Sequence, residues 1–182
     1  MKRLTIFLTA LLAGCGSQPG VTAANASASE VANKVAAAGS GSMFLAPGHW
    51  EGNIKITSVE MPGTSPQVAE RMSRAMTRDR AIESCLTPEE AERPKGAFFG
   101  GDDENCRYEH FKMAGGMIDA AMVCRHEGTK RVTTMKGSYS PDSYQMAMTM
   151  KSEGGTGPGA NMSMAMHITA ARMGACTGME AN

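Results

Sequence analysis

Two stretches near the C-terminus carry a methionine at every second position, and a glycine-rich segment, 154–159, separates them. The six residues are Met146, Met148, Met150, Met162, Met164 and Met166. Because successive side chains of a strand point to opposite sides of a sheet, this spacing predicts a hairpin with all six thioethers on one face. We call these six residues the methionine face. A loop symmetric about Thr156 would set Met148 opposite Met164 and Met150 opposite Met162.

Three turn signals divide the preceding segment into alternating runs that are typical of strands. They are Ala114-Gly115-Gly116, Glu127-Gly128-Thr129 and Ser140-Pro141-Asp142-Ser143. Glycine tolerates the positive φ that tight turns need, and proline suits the second position of a turn. The segment is therefore predicted to be an antiparallel meander that leads into the methionine hairpin.

The pairing of these strands is predicted from the centre of each turn, as the register that keeps one side of the sheet apolar. The predicted partners are Cys106 with Cys124, Ala121 with Met135, and Met135 with Met148. In this register Glu109 and Asp119 fall on the apolar side, whereas Ile118 and Met122 fall on the polar side. These four residues are exceptions that the register does not explain.

One strand and one helix are predicted at the start of the folded domain. Apolar and polar residues alternate from Trp50 to Glu60, which indicates a half-buried strand. From Pro66 to Ile82 the apolar residues recur at helical spacing, and we expect this helix to cover the methionine face. The predicted fold is α+β but mostly β. It is a curved antiparallel meander of about six strands, a half-barrel or open sandwich, packed on one helix.

The N-terminus has the layout of a bacterial lipoprotein signal. Lys2-Arg3 precedes an apolar run, 4–12, that is too short to span a bilayer. The run ends in Leu12-Ala13-Gly14-Cys15, which resembles a lipobox, so we expect 1–14 to be removed and Cys15 to carry palmitate and other acyl chains. Gly16 replaces the aspartate that retains such proteins in the inner membrane, which favours the periplasmic face of the outer membrane. The alternative is an ordinary secreted protein with a chance cysteine.

The segment 15–46 is rich in alanine, serine and glycine and nearly free of large apolar residues. This composition predicts a flexible tether between the lipidated Cys15 and a disulfide-linked, β-rich domain at 47–182. Ser27 and Glu30 have the spacing of a capping box. The helix that they would open is marginal by itself, because its apolar residues are few.

Four cysteines remain after Cys15, which is an even number in a chain predicted to be exported. The meander register sets Cys106 opposite Cys124, which leaves Cys85 to pair with Cys176. The alternative is a zinc site that uses all four thiolates. The absence of a Cys-x-x-Cys pair from the sequence disfavours it.

Charge and motifs exclude several classes of function. The 18 basic and 18 acidic residues balance, and removal of Lys2-Arg3 leaves 18 − 2 = 16 basic against 18 acidic, a net charge of −2. Because the chain lacks a basic patch, nucleic acid is not expected as a partner. The four histidines are scattered, and no nucleophile elbow, P-loop or dinucleotide motif occurs. No enzymatic activity, cofactor or resident metal is therefore predicted.

Several short motifs together resemble a family of small exported proteobacterial proteins. They are Pro47-Gly48-His49-Trp50-Glu51, Lys136-Gly137-Ser138-Tyr139, Gly174-Ala175-Cys176 and the four spaced cysteines. The family is the domain-of-unknown-function family numbered thirty-six seventeen, and the likeness covers about 47–176. His49 departs from the pattern, in which an apolar residue is expected. The resemblance implies an exported location and disulfides, and it implies no catalytic residues.

The sequence therefore predicts a lipoprotein tethered to the outer membrane, acting as a non-enzymatic binding or envelope-associated module. Its partner is the membrane itself, through Cys15, and an apolar ligand or an envelope protein is expected in addition. Three explanations of the methionine face stay open. The thioethers are core filler, or they line a surface for an apolar molecule, or they hold Cu(I), which soft sulfur ligands select.

Overall fold

A computed structural model of the chain describes residues 20–38, 44–94, 103–155, 160–178 and 180. Its strands are β1 (Val21–Ala26), β2 (Gly48–Glu60), β3 (Arg80–Leu86), β4 (Cys106–Ala114), β5 (Met117–His126), β6 (Thr129–Ser140), β7 (Ser143–Gly154) and β8 (Ser163–Gly174). Its helices are α1 (Ala28–Ala37), α2 (Pro66–Met76) and α3 (Pro88–Glu92). The predicted signal peptide and Cys15 lie outside the described residues.

All eight strands form one antiparallel sheet in the order β1-β4-β5-β6-β7-β8-β2-β3. Strands β4 to β8 are the meander that the three turn signals predict. The β2–β3 hairpin extends this meander beyond β8, and β1 pairs with β4 at the other edge. The sheet is therefore open, and it has two strands, β1 and β3, more than the six that were predicted.

Strand β3 lies partly in a segment that the sequence predicts to be helical. Helix α2 ends at Met76 instead of Ile82. The backbone N–H and the hydroxyl of Thr77 both donate to the Ser73 carbonyl, which caps the last turn. Ile82 then pairs with Gly52 of β2 and packs against the core.

The prediction that α2 covers the methionine face is wrong. No residue of α2 is buried, and its apolar residues Val68 and Met72 are 47% and 40% exposed. The helix connects β2 to β3, which are neighbours at one edge of the sheet, and it contacts β2. This short connection holds α2 at the edge, away from β7.

The helix that packs on the sheet is α1, inside the segment predicted to be a tether. The capping box predicted at its start is present, because the Ser27 hydroxyl accepts from the Glu30 N–H and the Glu30 carboxylate accepts from the Ser27 N–H. Val31 and Val35 are fully buried, and Ala28 and Ala32 beside them are buried too. Because these side chains are small, α1 can lie close to the sheet. A narrow apolar stripe is therefore enough to bury the inner face of the helix.

Strand β1 also comes from the predicted tether, with Val21 opposite Met113. Over 20–38 the flexible tether is therefore replaced by an edge strand and a core helix. The core cluster that α1 completes contains Val31, Val35, Phe44, Leu45, Trp50, Tyr108, Phe111, Met113, Ile118 and Ala120. Alanine-rich composition misled the prediction because it does not distinguish a flexible linker from a closely packed helix.

A β-bulge in β4 explains the residues that did not fit the predicted register. Tyr108 pairs with Met122, but His110 pairs with Ala121, so Glu109 is the extra residue. The shift by one residue turns the rest of β4 over relative to β5. Ile118 therefore lies on the core side of the sheet, as Met122 does.

The bulge also corrects the assignment of three apolar residues of β5. Met117, Ala121 and Val123 were predicted on the core side, and they lie on the opposite side. Asp119 lies there as well, and its carboxylate contacts His110 at 3.0 Å and Lys136 at 3.2 Å. These ionic contacts remove the apparent conflict of a carboxylate on an apolar face.

The register between β5 and β6 differs by one residue from the predicted one, because the turn is centred between Glu127 and Gly128 instead of on Gly128. His126 pairs with Thr129, and the two residues between them have φ values of 43° for Glu127 and 79° for Gly128. Two positive φ values are typical of a type I′ hairpin turn. Met135 consequently pairs with Ala120 instead of Ala121.

Both predicted disulfides are present. Cys106 and Cys124 are directly opposite each other on β4 and β5, and Cys85 bonds Cys176 with a Cα–Cα distance of 5.6 Å. They join residues separated by 18 and 91 positions. By loop entropy, bonds of this span stabilise the folded chain by about 3 and about 4.5 kcal/mol.

We expect Val35→Ala in α1 to lower the free energy of unfolding by about 2 kcal/mol, because it removes buried methyl groups and leaves a cavity. Val68→Ala in α2 is the matched control, and its change should stay within about 0.5 kcal/mol because the side chain is exposed. Urea denaturation measures both. Equal losses for the two variants would contradict the assignment of α1 as the core helix.

Candidate functional site

The methionine face lies on the same side of the sheet as α1. Ala120, which belongs to the core cluster, pairs with Met135 of β6, and Met135 pairs with Met148 of β7. Residues paired across strands share a face of the sheet. Since the six methionines alternate along β7 and β8, all six point to the core side, as the sequence predicts.

The pairing between β7 and β8 differs from the predicted one by two residues. Met148 lies opposite Met166, and Met150 lies opposite Met164. The shift of two residues keeps every side chain on its predicted face, because strands have a period of two. The centre of a glycine-rich loop is not marked in the sequence, so only the face could be predicted.

The methionine face is not part of the core cluster around α1. Met146 and Met164 are each 8% exposed, whereas the other four methionines are only partly buried. On β6 and β7 the cluster is contacted by Met135, Tyr139 and Tyr144, but by none of the six methionines. The apolar side of the sheet thus has one part that α1 covers and a second part with partly accessible thioethers.

Two neighbouring rows of cross-strand partners form the centre of the methionine face. The first row is Met135, Met148, Met166 and Ile56, and the second is Thr133, Met150, Met164 and Val59. Neither row contains a titratable side chain. Thioethers and aliphatic groups can bind apolar molecules or soft metal ions, but they cannot transfer protons.

Met135 belongs to the first row, although it is not one of the six residues of the methionine face. It stands alone on β6, so no methionine repeat marks it. The signal that could have found it is the Pro141-Asp142 turn, which correctly predicts Met135 opposite Met148.

A second cluster surrounds His49 of β2. Nε2 of His49 lies 3.2 Å from Glu83 Oε1 and 3.6 Å from Glu51 Oε1, and Nδ1 lies 3.6 Å from Glu180 Oε1. Nε2 is buried and makes no hydrogen bond of good geometry. Pairing of His49 with Cys85 places the cluster beside the Cys85–Cys176 disulfide.

Glu180 fixes the C-terminal segment from within this cluster. Its side chain is 1% exposed. The carboxylate accepts hydrogen bonds from the N–H groups of Thr177 at 2.7 Å and Gly178 at 2.8 Å, and from the Thr177 hydroxyl at 3.1 Å. These bonds, led by the one from the Thr177 backbone, lower the pKa of Glu180 to about 2. The arrangement is structural, since the carboxylate is occupied by the backbone of its own segment.

A third group, Asp103, Cys106 and His126, has the spacing of metal ligands. The Cys106 sulfur is bonded to Cys124, so it is not the thiolate that a metal requires. His126 Nε2 instead lies 2.6 Å from Asp103 Oδ2. This pair is an ordinary charged contact between the start of β4 and the end of β5.

The opposite face of the sheet carries a shallow, open depression of about 290 Å³. Polar groups of Lys136, Gln145 and His167 line it beside the exposed Met117. Lys136 is already paired with Asp119. The depression therefore lacks the enclosed apolar walls that are typical of small-molecule sites.

Comparison with known families identifies the chain by its folded part. A model described as a protein of unknown function, DUF3617, matches residues 45–176. The chain belongs to the DUF3617 family. Comparison with curated proteins and with solved structures gave no match. In the described part of the chain, no helix is long and apolar enough to cross a bilayer.

The DUF3617 match includes the methionine face, His49 and both disulfides, but it excludes β1, α1 and Glu180. The DUF3617 segment of this chain thus uses a helix from outside the match to complete its core. The family description assigns no activity.

We expect Glu180→Gln to make the fold less stable at neutral pH and less sensitive to acid. The folded pKa is below the unfolded value of 4.5, so the ionised carboxylate contributes stability that is complete above about pH 4.5 and is lost as the pH falls towards 2. Urea unfolding at several pH values checks this. The contrary result would be an identical pH dependence of stability in the variant and the wild type between pH 4.5 and 2.

Proposed function

We propose that this protein is a lipid-anchored binding protein of the bacterial envelope. Cys15 carries the anchor at the periplasmic face of the outer membrane, and the methionine face is the ligand-binding surface. One observation carries the proposal for the surface. Four of the six thioethers are partly exposed and lie outside the core cluster, which α1 completes without them.

The distribution of apolar residues supports binding over simple packing. A methionine of the core is nearly fully buried, as Met113 is at 3% exposed, whereas Met148, Met150, Met162 and Met166 are only partly buried. Ile54, Ile56, Val59 and Ile168 continue the methionine face on β2 and β8, and they are also only partly buried. Partly exposed apolar residues in one continuous area are typical of interaction sites.

The chemistry of the histidines supports binding over catalysis. His49, His110 and His126 all contact carboxylates. Each of these carboxylates either has another charged or backbone partner or lies at the surface. A histidine that activates a nucleophile needs a hydroxyl or thiol within hydrogen-bond distance. The contacts found here instead join neighbouring strands or fix the C-terminal segment.

An apolar molecule is the second candidate ligand, beside a soft metal ion. The aliphatic border of the methionine face favours it, since Ile56 and Val59 extend the two central rows without a polar group. Methionine side chains adapt their shape to different apolar partners.

Native mass spectrometry of the protein from its own host should show a bound species on the wild type. Met150→Lys places a charge on the methionine face and should abolish that species. Met117→Lys is the matched control, because Met117 is 57% exposed on the opposite face of the sheet, and it should retain the species. The bare mass for the wild type would contradict a binding function and would favour core packing.

The anchor is tested by Cys15→Ser. We expect this variant to leave the membrane fraction and to lose labelling by radioactive palmitate, because the serine hydroxyl does not replace the acylated thiol. Gly16→Asp is the control, and it should keep the label but move to the inner membrane. A Cys15→Ser protein of mature size that stays in the membrane would contradict the lipoprotein assignment.

A further inference from the structure

We propose that the centre of the methionine face is a binding site for Cu(I), formed by Met148, Met150, Met164 and Met166. This inference rests on the proposed function, because it names the ligand of the same surface. The observation that carries it is the pairing of β7 with β8. It brings two opposed methionine pairs into neighbouring rows of one ladder.

The backbone geometry places the four thioethers around one point. Directly opposed residues of an antiparallel pair have Cα atoms roughly 5 Å apart, and residues two apart on a strand are separated by roughly 7 Å. The four Cα atoms therefore form a rectangle whose corners all lie roughly 4 Å from its centre. Unbranched methionine side chains with three rotatable bonds can turn their Sδ atoms towards a point above that centre, on the core side of the sheet.

The neighbouring side chains extend and complete this arrangement. Met135 lies beside Met148 on β6 and adds a fifth thioether to the first row. Thr133 lies beside Met150, and Ile56 and Val59 border the site on β2. The site is thus bordered by a thioether and an aliphatic group along the first row, and by the Thr133 hydroxyl and an aliphatic group along the second.

The donor set selects Cu(I) from among the common metal ions. Thioethers are soft ligands that favour Cu(I), whereas Ca²⁺, Mg²⁺ and Mn²⁺ require oxygen donors and Zn²⁺ prefers thiolate, imidazole or carboxylate. No carboxylate or imidazole lies in the two rows. Neutral ligands also leave only a single positive charge to accommodate, which an apolar surrounding tolerates better than two.

The burial of the four residues fits a site that a small ion can reach. Met164 is buried and can hold one side of the ion, whereas Met148, Met150 and Met166 are partly exposed. Partly exposed thioethers can exchange the ion with solvent or with another carrier without local unfolding. An exchangeable site suits a protein that binds and transfers an ion, rather than one that requires it for folding.

The test is a competition titration of the purified protein with Cu(I) and a chromogenic Cu(I) chelator. Met148→Leu/Met166→Leu should bind Cu(I) at least about 100-fold more weakly than the wild type, because two of four ligands are lost. Its melting temperature should stay unchanged, since leucine conserves volume and apolarity. Met117→Leu/Met173→Leu is the matched control and should keep the wild-type affinity, because both side chains are exposed and neither belongs to the two rows.

The ligands are identified separately by NMR of the methionine methyl groups with Ag(I), a soft ion that replaces Cu(I) without redox chemistry. We expect the signals of Met148, Met150, Met164 and Met166 to shift together and those of Met117 and Met173 to stay in place. Shifts confined to Met117 or Met173 would overturn the assignment of the site.

Absence of Cu(I) binding by the wild type, or equal affinity in all three proteins, would overturn the copper proposal. So would an apolar molecule as the bound species in native mass spectrometry, although that result would support the proposed binding function. The proposed function itself fails on other results, namely a bare wild-type mass or retention of Cys15→Ser in the membrane. The two failures are therefore distinguishable.

Discussion

The contact between α1 and the sheet is the interaction on which the rest of the structure depends. An open sheet with one apolar side must have that side covered, because exposed apolar area is unfavourable. Val31 and Val35 provide the cover together with Phe44 and Leu45, and they enclose the aromatic residues of β4. A helix of ten residues is too short to span eight strands. The core therefore occupies one part of the apolar side and leaves the methionine face beside it.

This division explains why two kinds of apolar residue occur on one side of the sheet. Under α1 the sheet presents rigid or aromatic groups such as Phe111 and Ile118, which pack well against a fixed helix. Beyond α1 it presents unbranched thioethers, which keep their rotational freedom and adapt to a changing partner.

The two-residue period of the strands made the faces of β6, β7 and β8 predictable from sequence. A register error of two residues, as in the pairing of Met148, leaves each side chain on its predicted face, whereas an error of one residue moves it to the other face. Such an error arose at Glu109, because nothing in the sequence marks a residue as a bulge. The role of α1 was missed for a different reason. Its capping box at Ser27 was visible, but burial of a valine and alanine stripe depends on a surface supplied by distant strands.

Strand β1 has a consequence for the protein's range of movement. An acyl group on Cys15 would leave only the segment 16–20 before Val21 enters the sheet. Even a fully extended chain of this length reaches no more than about 20 Å. The domain would then be unable to search the periplasmic space, and it would stay within one protein diameter of the lipid. Its encounters would be limited to molecules that move along the membrane surface or come to it.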